Sequence, residues 1–288
     1  MITTGALLHG DVARHLDFDY AEQPVALQLG GSDPSELAKC ARLGERWGYA
    51  EINLNCGCPS ERVVRGSFGA CLMAEPALVA DCIKAMRDAV SVPVTVKHRI
   101  GLDRIEDYGF VRDFVGALHD AGCAVFVAHA RNAWLKGLSP KENREVPPLR
   151  YEFVHRLRRD FRSATFVLNG GVVSLAQAET ELEHVDAVML GRAAYHDPYL
   201  LASIDRRLFD DMAPLPSRGE VVRRMGNYLN RTAALGISAR AVTAHMLGLY
   251  HGQPNARRWR QHLSDPAFLM QHGPASLRAA DAVFDRAA

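Results

Sequence analysis

One repeated pattern runs from residue 24 to residue 190: a short apolar stretch, a turn, and then a longer amphipathic stretch. The apolar stretches are predicted strands at 25–29, 51–55, 94–97, 124–129, 165–168 and 187–190, with residues 1–4 as a further candidate. The amphipathic stretches are predicted helices at 34–47, 76–90, 106–121, 151–160 and 175–183, and several begin with the Ser, Asp or Pro that favours a helix start. Strands that alternate with helices predict a parallel sheet.

The repeat favours the (β/α)8 TIM barrel over a doubly wound sheet, because no predicted strand is followed by a G-x-G-x-x-G turn. After Pro198 the strand pattern stops, and Pro214 and Pro216 precede helical patterns at 220–235 and 238–250. We therefore predict an α/β barrel at residues 1–212 and a small helical domain at residues 213–288.

The composition excludes several classes of protein. A chain that is 48% hydrophobic and 23% charged can bury a large core, which argues against disorder. Its apolar runs are too short for a membrane span and its start does not resemble a signal peptide, so we expect a cytoplasmic protein that does not bind a membrane. The six cysteines are then expected to be reduced, and their spacing gives no reason to expect a metal.

The carboxyl-terminal part of the chain is basic. From residue 213 onward there are ten arginines and four acidic residues. This surplus fits either a polyanionic partner or a solvated helical surface, and the sequence leaves both readings open.

Polar residues stand where the predicted strands end, which is where TIM barrels carry their catalytic groups. These residues are Gln28, Asn53, Asn55, Lys97, His129, Asn169, Gly191 and Arg192. Polar groups at so many strand ends predict a functional site on one rim of the barrel. The turns Asn169-Gly170-Gly171 and Gly191-Arg192 follow the last two strands, where this fold commonly binds phosphate.

Cys58 lies in the loop after strand 51–55 and precedes Pro59, which favours an extended backbone. A thiol held in such a loop can donate a proton, so Cys58 is our candidate acid. The cysteines that fall within predicted helices or against a strand are expected to be structural: Cys40, Cys82 and Cys123. The roles of Cys56 and Cys71 stay open.

Five segments stand out together: Asn55-Cys56-Gly57-Cys58-Pro59-Ser60, Val96-Lys97-His98-Arg99-Ile100-Gly101, His129-Ala130-Arg131, Leu168-Asn169-Gly170-Gly171 and Leu190-Gly191-Arg192. In combination they resemble the tRNA-dihydrouridine synthases over nearly the whole chain. Residues 136–144, 3–8 and 26–31 resemble the A-type subfamily.

The resemblance implies an enzyme that reduces the uracil 5,6 double bond at D-loop uridines of tRNA, with FMN as cofactor and NADPH as reductant. In such enzymes the reduced flavin passes hydride to C6, and a cysteine that matches Cys58 protonates C5. Family flavin contacts fall on Gln28, Lys97, His129, Asn169, Gly170, Gly171, Gly191 and Arg192. Asn55 would contact the substrate nucleotide, which must be extruded from the folded tRNA.

The candidates for contacts to the tRNA backbone are Arg144, Arg257 and Arg260, with His98 and Arg99 as further ones. The family begins with a strand and a helix that carry a Pro-Met flavin contact, whereas only residues 1–4 can form a strand here before residue 25. We therefore expect seven strands and a barrel that lacks its first member.

Two other functions fit parts of the pattern. Lys97 at a strand end, opposite a phosphate site, would also suit an aldolase that forms a Schiff base. Alternatively, a truncated chain could bind tRNA through its basic part without turnover.

Overall fold

The structure is a computed structural model that describes residues 1–61, 63, 66–105 and 107–285. Its residues form two compact units, one made of Met1–Gly171 and Glu179–Met189, the other of Val172–Ala178 and Leu190–Ala288. The predicted helical domain at 213–288 lies within the second unit. The unit itself begins earlier, so a domain boundary between residues 212 and 213 stays a prediction.

The first unit contains a seven-stranded parallel sheet whose strands lie side by side in chain order. The strands are β1 (Ile2–Thr3), β2 (Ala26–Gly30), β3 (Glu51–Cys56), β4 (Val94–Arg99), β5 (Val125–His129), β6 (Thr165–Asn169) and β7 (Ala187–Met189). Parallel strands in chain order with intervening helices make up the α/β arrangement of a TIM barrel, which confirms the predicted fold class. Among the described residues, β1 pairs with β2 and β7 pairs with β6, with no ladder between β1 and β7.

Helices connect the strands, five of them close to where the sequence predicts them and the two before β2 without a prediction. They are Thr4–His9, Val12–Leu16, Pro34–Arg46, Pro76–Arg87, Tyr108–Asp120, Tyr151–Asp160 and Leu175–Leu182. The start of Pro34–Arg46 shows why a helix start can be predicted from its residues. Asp33 Oδ1 accepts from the backbone N–H of Glu36 at 2.8 Å, and proline occupies the first turn. Both features satisfy or remove backbone donors that a helix start leaves unpaired.

The two faces of the sheet differ in chemistry, and β3 shows the difference most clearly. Ile52, Leu54 and Cys56 are fully buried in the hydrophobic core of the first unit. A side chain added at Gly44 of helix Pro34–Arg46 would lie 2.7 Å from the Ile52 methyl group, so this face packs directly against helices. Successive strand residues point to opposite faces. Glu51, Asn53 and Asn55 therefore line the face turned away from the helices.

The second unit is helical. Its remaining helices are Arg192–His196, Ile204–Leu208, Arg218–Ala234, Ala239–Thr243, Ala256–Ser264, Pro266–His272 and Ser276–Asp285. Trp259 is fully buried at the centre of this unit's core, and Tyr250 stacks on Phe284 with 3.7 Å between ring centroids. No helix in the described part of the chain is long and apolar enough to cross a membrane.

The predicted helix at 238–250 is wrong in its second half, because the helix ends at Thr243. Two backbone carbonyls beyond that point accept side-chain donors from distant parts of the unit. Trp259 Nε1 donates to Met246 O at 2.8 Å, and Arg218 Nε donates to Leu249 O at 2.9 Å. These long-range contacts stabilise a series of turns where periodicity alone predicts a helix.

Candidate active site

The polar residues predicted at the strand ends meet along the carboxyl edge of the sheet in the first unit. Asn55 Nδ2 donates to Gln28 Oε1 at 2.8 Å, and Lys97 Nζ donates to Asn169 Oδ1 at 2.9 Å. His129 is paired in register with Asn169. The structure thus brings together five predicted site residues that lie on five different strands.

Lys97 carries an ammonium group that the protein largely encloses. Burial, and then the charge of Arg99, lower the pKa of Lys97 from its ordinary value of 10.5 to about 8. Among the described residues no carboxylate forms an ion pair with Lys97, whose hydrogen bond goes to the Asn169 amide. A buried charge without a counter-ion is costly. This edge of the sheet is therefore suited to an anionic or strongly polar ligand.

The turn after β6 consists of two glycines with left-handed backbone angles, Gly170 with φ 106° and Gly171 with φ 75°. A side chain at Gly170 would overlap the His129 ring, and one at Gly171 would overlap Leu149. Tyr151 Oη donates to Gly170 O at 2.6 Å. Neither glycine N–H donates to another residue in the described part of the chain. Two unengaged N–H groups on the same sheet edge as the Lys97 ammonium can bind the oxygens of an anion.

The loop that carries Cys58 begins in an Asx turn. Asn55 Oδ1 accepts from the backbone N–H groups of Gly57 at 3.1 Å and of Cys58 at 3.0 Å. Ala70 N donates to Cys58 O at 2.9 Å, which ties the end of the loop back to its start. The Cys58 thiol is half-buried and lies 3.4 Å from Ser60 Oγ. A thiol that solvent can reach, on a backbone held from both sides, can donate a proton to a bound substrate.

The other cysteines lie in different environments, and all six are free thiols. Cys56 is fully buried in the hydrophobic core, away from the site, and burial raises its pKa well above 9. Cys71 is half-buried and donates to Phe68 O at 3.2 Å. Because strand alternation turns Cys56 away from the carboxyl-edge site, Cys58 stays the candidate acid.

Two residues that the sequence offered as contacts to a tRNA backbone are buried. His98 is fully buried on the helix-facing side of β4. Arg99 lies on the opposite face but is 4% exposed. Its Nε donates to Gly57 O at 3.1 Å, and its Nη1 donates to the backbone oxygens of Asn132 and Asn143. The hypothesis that they contact a nucleic-acid backbone is therefore wrong for this structure, and Arg99 instead holds the loops around the site.

The remaining predicted residues lie on the protein surface. Arg144 is exposed in a short 3-10 helix of the first unit, Glu142–Arg144. In the second unit, Arg257 and Arg260 are exposed on helix Ala256–Ser264, opposite the buried Trp259. Gly191 and Arg192, at the start of a short helix of that unit, stay a prediction as phosphate ligands.

A recess that the sequence did not indicate lies among the loops after β4 and β5. It has a volume of about 380 Å³ and is lined by Asp103, Arg104, Asn132, Trp134, Pro148 and Arg150. The Arg104 guanidinium carbon lies 5.1 Å from the centre of the Trp134 ring. An aromatic face next to guanidinium groups can bind a nucleobase and its phosphates.

Comparison with known proteins agrees with this arrangement. A family model described as dihydrouridine synthase (Dus) matches residues 1–286. A tRNA-dihydrouridine(20/20a) synthase of Synechocystis sp. is 53% identical over 280 residues, which cover 97% of this chain and 84% of that protein. One from Pseudomonas syringae pv. tomato is 57% identical over 264 residues, which cover 92% of this chain and 79% of that protein. With its strand-end residues and its Cys-Pro loop in place, the chain belongs to the dihydrouridine synthase family.

Proposed function

We propose that this chain reduces uridine in tRNA to dihydrouridine, with FMN as its flavin and NADPH as the source of electrons. The observation that carries the proposal is the placement of Cys58. Its anchored loop lies on the same sheet edge as a half-buried ammonium, an imidazole and a turn of two glycines. Family membership connects this edge to flavin chemistry on uridine.

The residues of the first unit fit a flavin mononucleotide. Lys97 is half-buried and has no carboxylate partner among the described residues, and the Gly170 and Gly171 N–H groups are unengaged, so both can bind the anionic and carbonyl oxygens of such a cofactor. We assign the binding of FMN to Gln28, Lys97, His129, Asn169, Gly170 and Gly171. An FMN held by these residues would supply the hydride chemistry that reduction at C6 of the uracil ring requires.

Cys58 then completes the reduction. Hydride addition at C6 leaves negative charge at C5 and O4, and the Cys58 thiol gives its proton to C5. The 5,6 double bond thereby becomes a single bond with one added hydrogen on each carbon. The Cys58 thiolate recovers a proton from water, which reaches this half-buried side chain. The Arg99 guanidinium, 3.1 Å from Gly57 O, holds the loop during the transfer.

We propose that tRNA is bound by Asn55 at the site and by exposed groups elsewhere on the protein. Asn55 would contact the extruded uridine, and Arg144 the backbone near it. In the second unit, Arg257 and Arg260 project from the exposed face of one helix and would pair with phosphates. Trp134 and Arg104 in the recess would stack on a neighbouring base, because an aromatic face binds any base by stacking.

The test is reconstitution of the chain with FMN, NADPH and tRNA that lacks modifications. We expect tRNA that has gained two hydrogens at a D-loop uridine, detected by mass spectrometry of its nucleosides. Flavin absorbance of the purified protein separates this activity from aldolase chemistry at Lys97. The Cys58→Ala variant serves as the matched control. A flavin-loaded chain that oxidises NADPH but forms no dihydrouridine in any unmodified tRNA would refute the proposal.

A further inference from the structure

A series of polar side chains lies along the face of the sheet that is turned away from the helices. Glu51, Asn53 and Asn55 occupy alternate positions of β3, so their side chains share one face. Thr95 on β4 is paired in register with Asn53, and Gln28 on β2 is paired with the same residue. TIM-barrel interiors usually carry bulky branched apolar residues at such positions. The polar residues here therefore need a reason.

These side chains form one continuous series of hydrogen bonds that reaches the backbone of the acid. From the loop inward the bonds are Cys58 N to Asn55 Oδ1 (3.0 Å), Asn55 Nδ2 to Gln28 Oε1 (2.8 Å), Gln28 Nε2 to Asn53 Oδ1 (2.8 Å), Asn53 Nδ2 to Thr95 Oγ1 (2.7 Å) and Thr95 Oγ1 to Glu51 Oε1 (2.5 Å). Thr95 is 1% exposed and Asn53 is 4% exposed, so water does not compete for the central bonds.

The series has a direction, and both of its ends fix that direction. The backbone N–H of Cys58 can only donate, and the Glu51 carboxylate can only accept. A flip of the amide of Gln28, Asn53 or Asn55 would place two donors or two acceptors against each other in a buried site. Each amide is therefore held in one orientation, and hydrogen bonds linked in this way strengthen one another. Asn55, whose oxygen already accepts two bonds, keeps only an N–H to offer a ligand.

We propose that Glu51, Asn53 and Thr95 are positioning residues for the reaction, an inference that rests on the proposed function. They contact neither the substrate nor the acid directly. They hold the Asn55 amide in the orientation that accepts from the Cys58 N–H, and thereby set where the loop presents the thiol. Glu51 lies at the opposite end of β3 from Cys58, so the series carries this constraint along the length of the strand.

The first test is Thr95→Val, which keeps the shape of the side chain and removes the hydroxyl at the centre of the series. We expect kcat per flavin-loaded molecule to fall about five- to tenfold, the effect of one hydrogen bond. KM for tRNA should change little, because phosphate contacts supply most of the affinity for a nucleic acid and the substitution leaves the exposed arginines in place. Thr95→Ser, which restores the hydroxyl, should restore kcat. Thr165→Val is the matched control, since Thr165 begins β6, is exposed, and makes no side-chain hydrogen bond among the described residues.

A second readout needs no turnover. In flavin-free protein with ¹⁵N-labelled side-chain amides, Thr95→Val should broaden the Asn55 and Gln28 signals and speed their exchange with water, whereas Thr165→Val should leave both unchanged. If Thr95→Val does not fold, Glu51→Ala decides, because it removes the terminal acceptor at the half-buried end of the series. We expect it to lower kcat about two- to threefold at unchanged KM, since the more distant bonds persist.

Several results would overturn the proposal. A Thr95→Val variant with a lower melting temperature but wild-type kcat per flavin-loaded molecule would show a structural role alone. So would equal losses in Thr95→Val and Thr165→Val, or a Thr95→Ser variant that stays as slow as Thr95→Val. Absence of turnover in the wild-type chain would refute the proposed function together with the positioning role. Wild-type turnover with an unaffected Thr95→Val would refute the positioning role alone.

Discussion

His98 provides a buried group whose titration can be followed through the stability of the protein. Its ring is fully buried between β4 and helix Tyr108–Asp120, with the Phe114 ring centroid 5.6 Å away. Nδ1 lies 2.7 Å from Arg99 O, and because a carbonyl oxygen only accepts, Nδ1 carries the hydrogen. Nε2 is buried without a hydrogen-bond partner among the described residues. The imidazole is therefore held neutral.

Burial lowers the pKa of His98 from 6.5 to about 4; its hydrogen bond to Arg99 O opposes the change, and the charge of Lys97 adds to it. Between these two values the unfolded chain binds a proton and the folded chain does not. The stability associated with His98 is thus fully present above about pH 6.5 and is lost as the pH falls toward 4. The difference between the two pKa values corresponds to a loss of roughly 3 kcal/mol.

The variant that tests this is His98→Leu, which cannot titrate. We expect the free energy of urea unfolding of the wild-type protein to fall by about 3 kcal/mol more than that of the variant between pH 6.5 and pH 4. The matched control is His9→Leu, because His9 is exposed. The free energy of unfolding of this variant should change with pH as that of the wild-type protein does. Parallel pH curves for wild type and His98→Leu would show that the imidazole is not buried as a neutral group.

Three further predictions concern the site and its partners. Cys58→Ala should keep the flavin but lower turnover by about two to four orders of magnitude, whereas Cys56→Ala should be far milder; equal turnover of the two would refute the assignment of the acid. Replacing Arg257 and Arg260 with Ala should weaken tRNA binding in a filter-binding assay. The slope of log affinity against log salt should flatten by about one unit per lost phosphate contact. An unchanged slope would show that the two arginines belong to a solvated surface. Gly170→Ala should lower the free energy of unfolding by about 1–3 kcal/mol, because φ is 106° there and the added methyl group meets a buried imidazole. Its flavin content, read from absorbance, should fall as well, and a fully loaded, stable variant would contradict the role of this turn.

The fold could be predicted from the sequence because buried parallel strands appear as short apolar runs with clear ends. Val94–Arg99 illustrates the limit of that signal: the predicted strand stops at residue 97, yet β4 continues to Arg99. Pairing in register with β3 and β5 carries the ladder through the charged residues, up to Cys56 with His98 and Arg99 with His129. A pairing partner distant in sequence thus sets the end of the strand.

The sequence predicted site residues well where they stand at the end of a strand. It predicted them less well where the face of the sheet to which a side chain points decides whether it reaches the site. Gln28 bonds to Asn55, and Lys97 bonds to Asn169, along the edge that their positions indicated. His98 was a candidate for a contact to the tRNA backbone, but alternation turns it toward the helices. Glu51, at the start of its strand, was not predicted as a site residue. Its spacing of two and four residues from Asn53 and Asn55 indicates that the three side chains share one polar face.

The alternation along β3 also divides the evolutionary pressures on one short strand. Substitutions at Ile52 or Leu54 disturb the packing between sheet and helices, so they should reduce how much protein accumulates in a cell. Substitutions at Glu51 or Asn53 leave that packing in place, so they should reduce catalysis more than they reduce abundance. Tolerance to substitution could be measured at each residue of β3, once with selection for abundance and once with selection for tRNA modification. Both measures would then alternate with a period of two residues, and each would be lowest where the other is highest. Neighbouring residues of β3 would therefore be under different selection, the helix-facing ones for folding and the site-facing ones for catalysis.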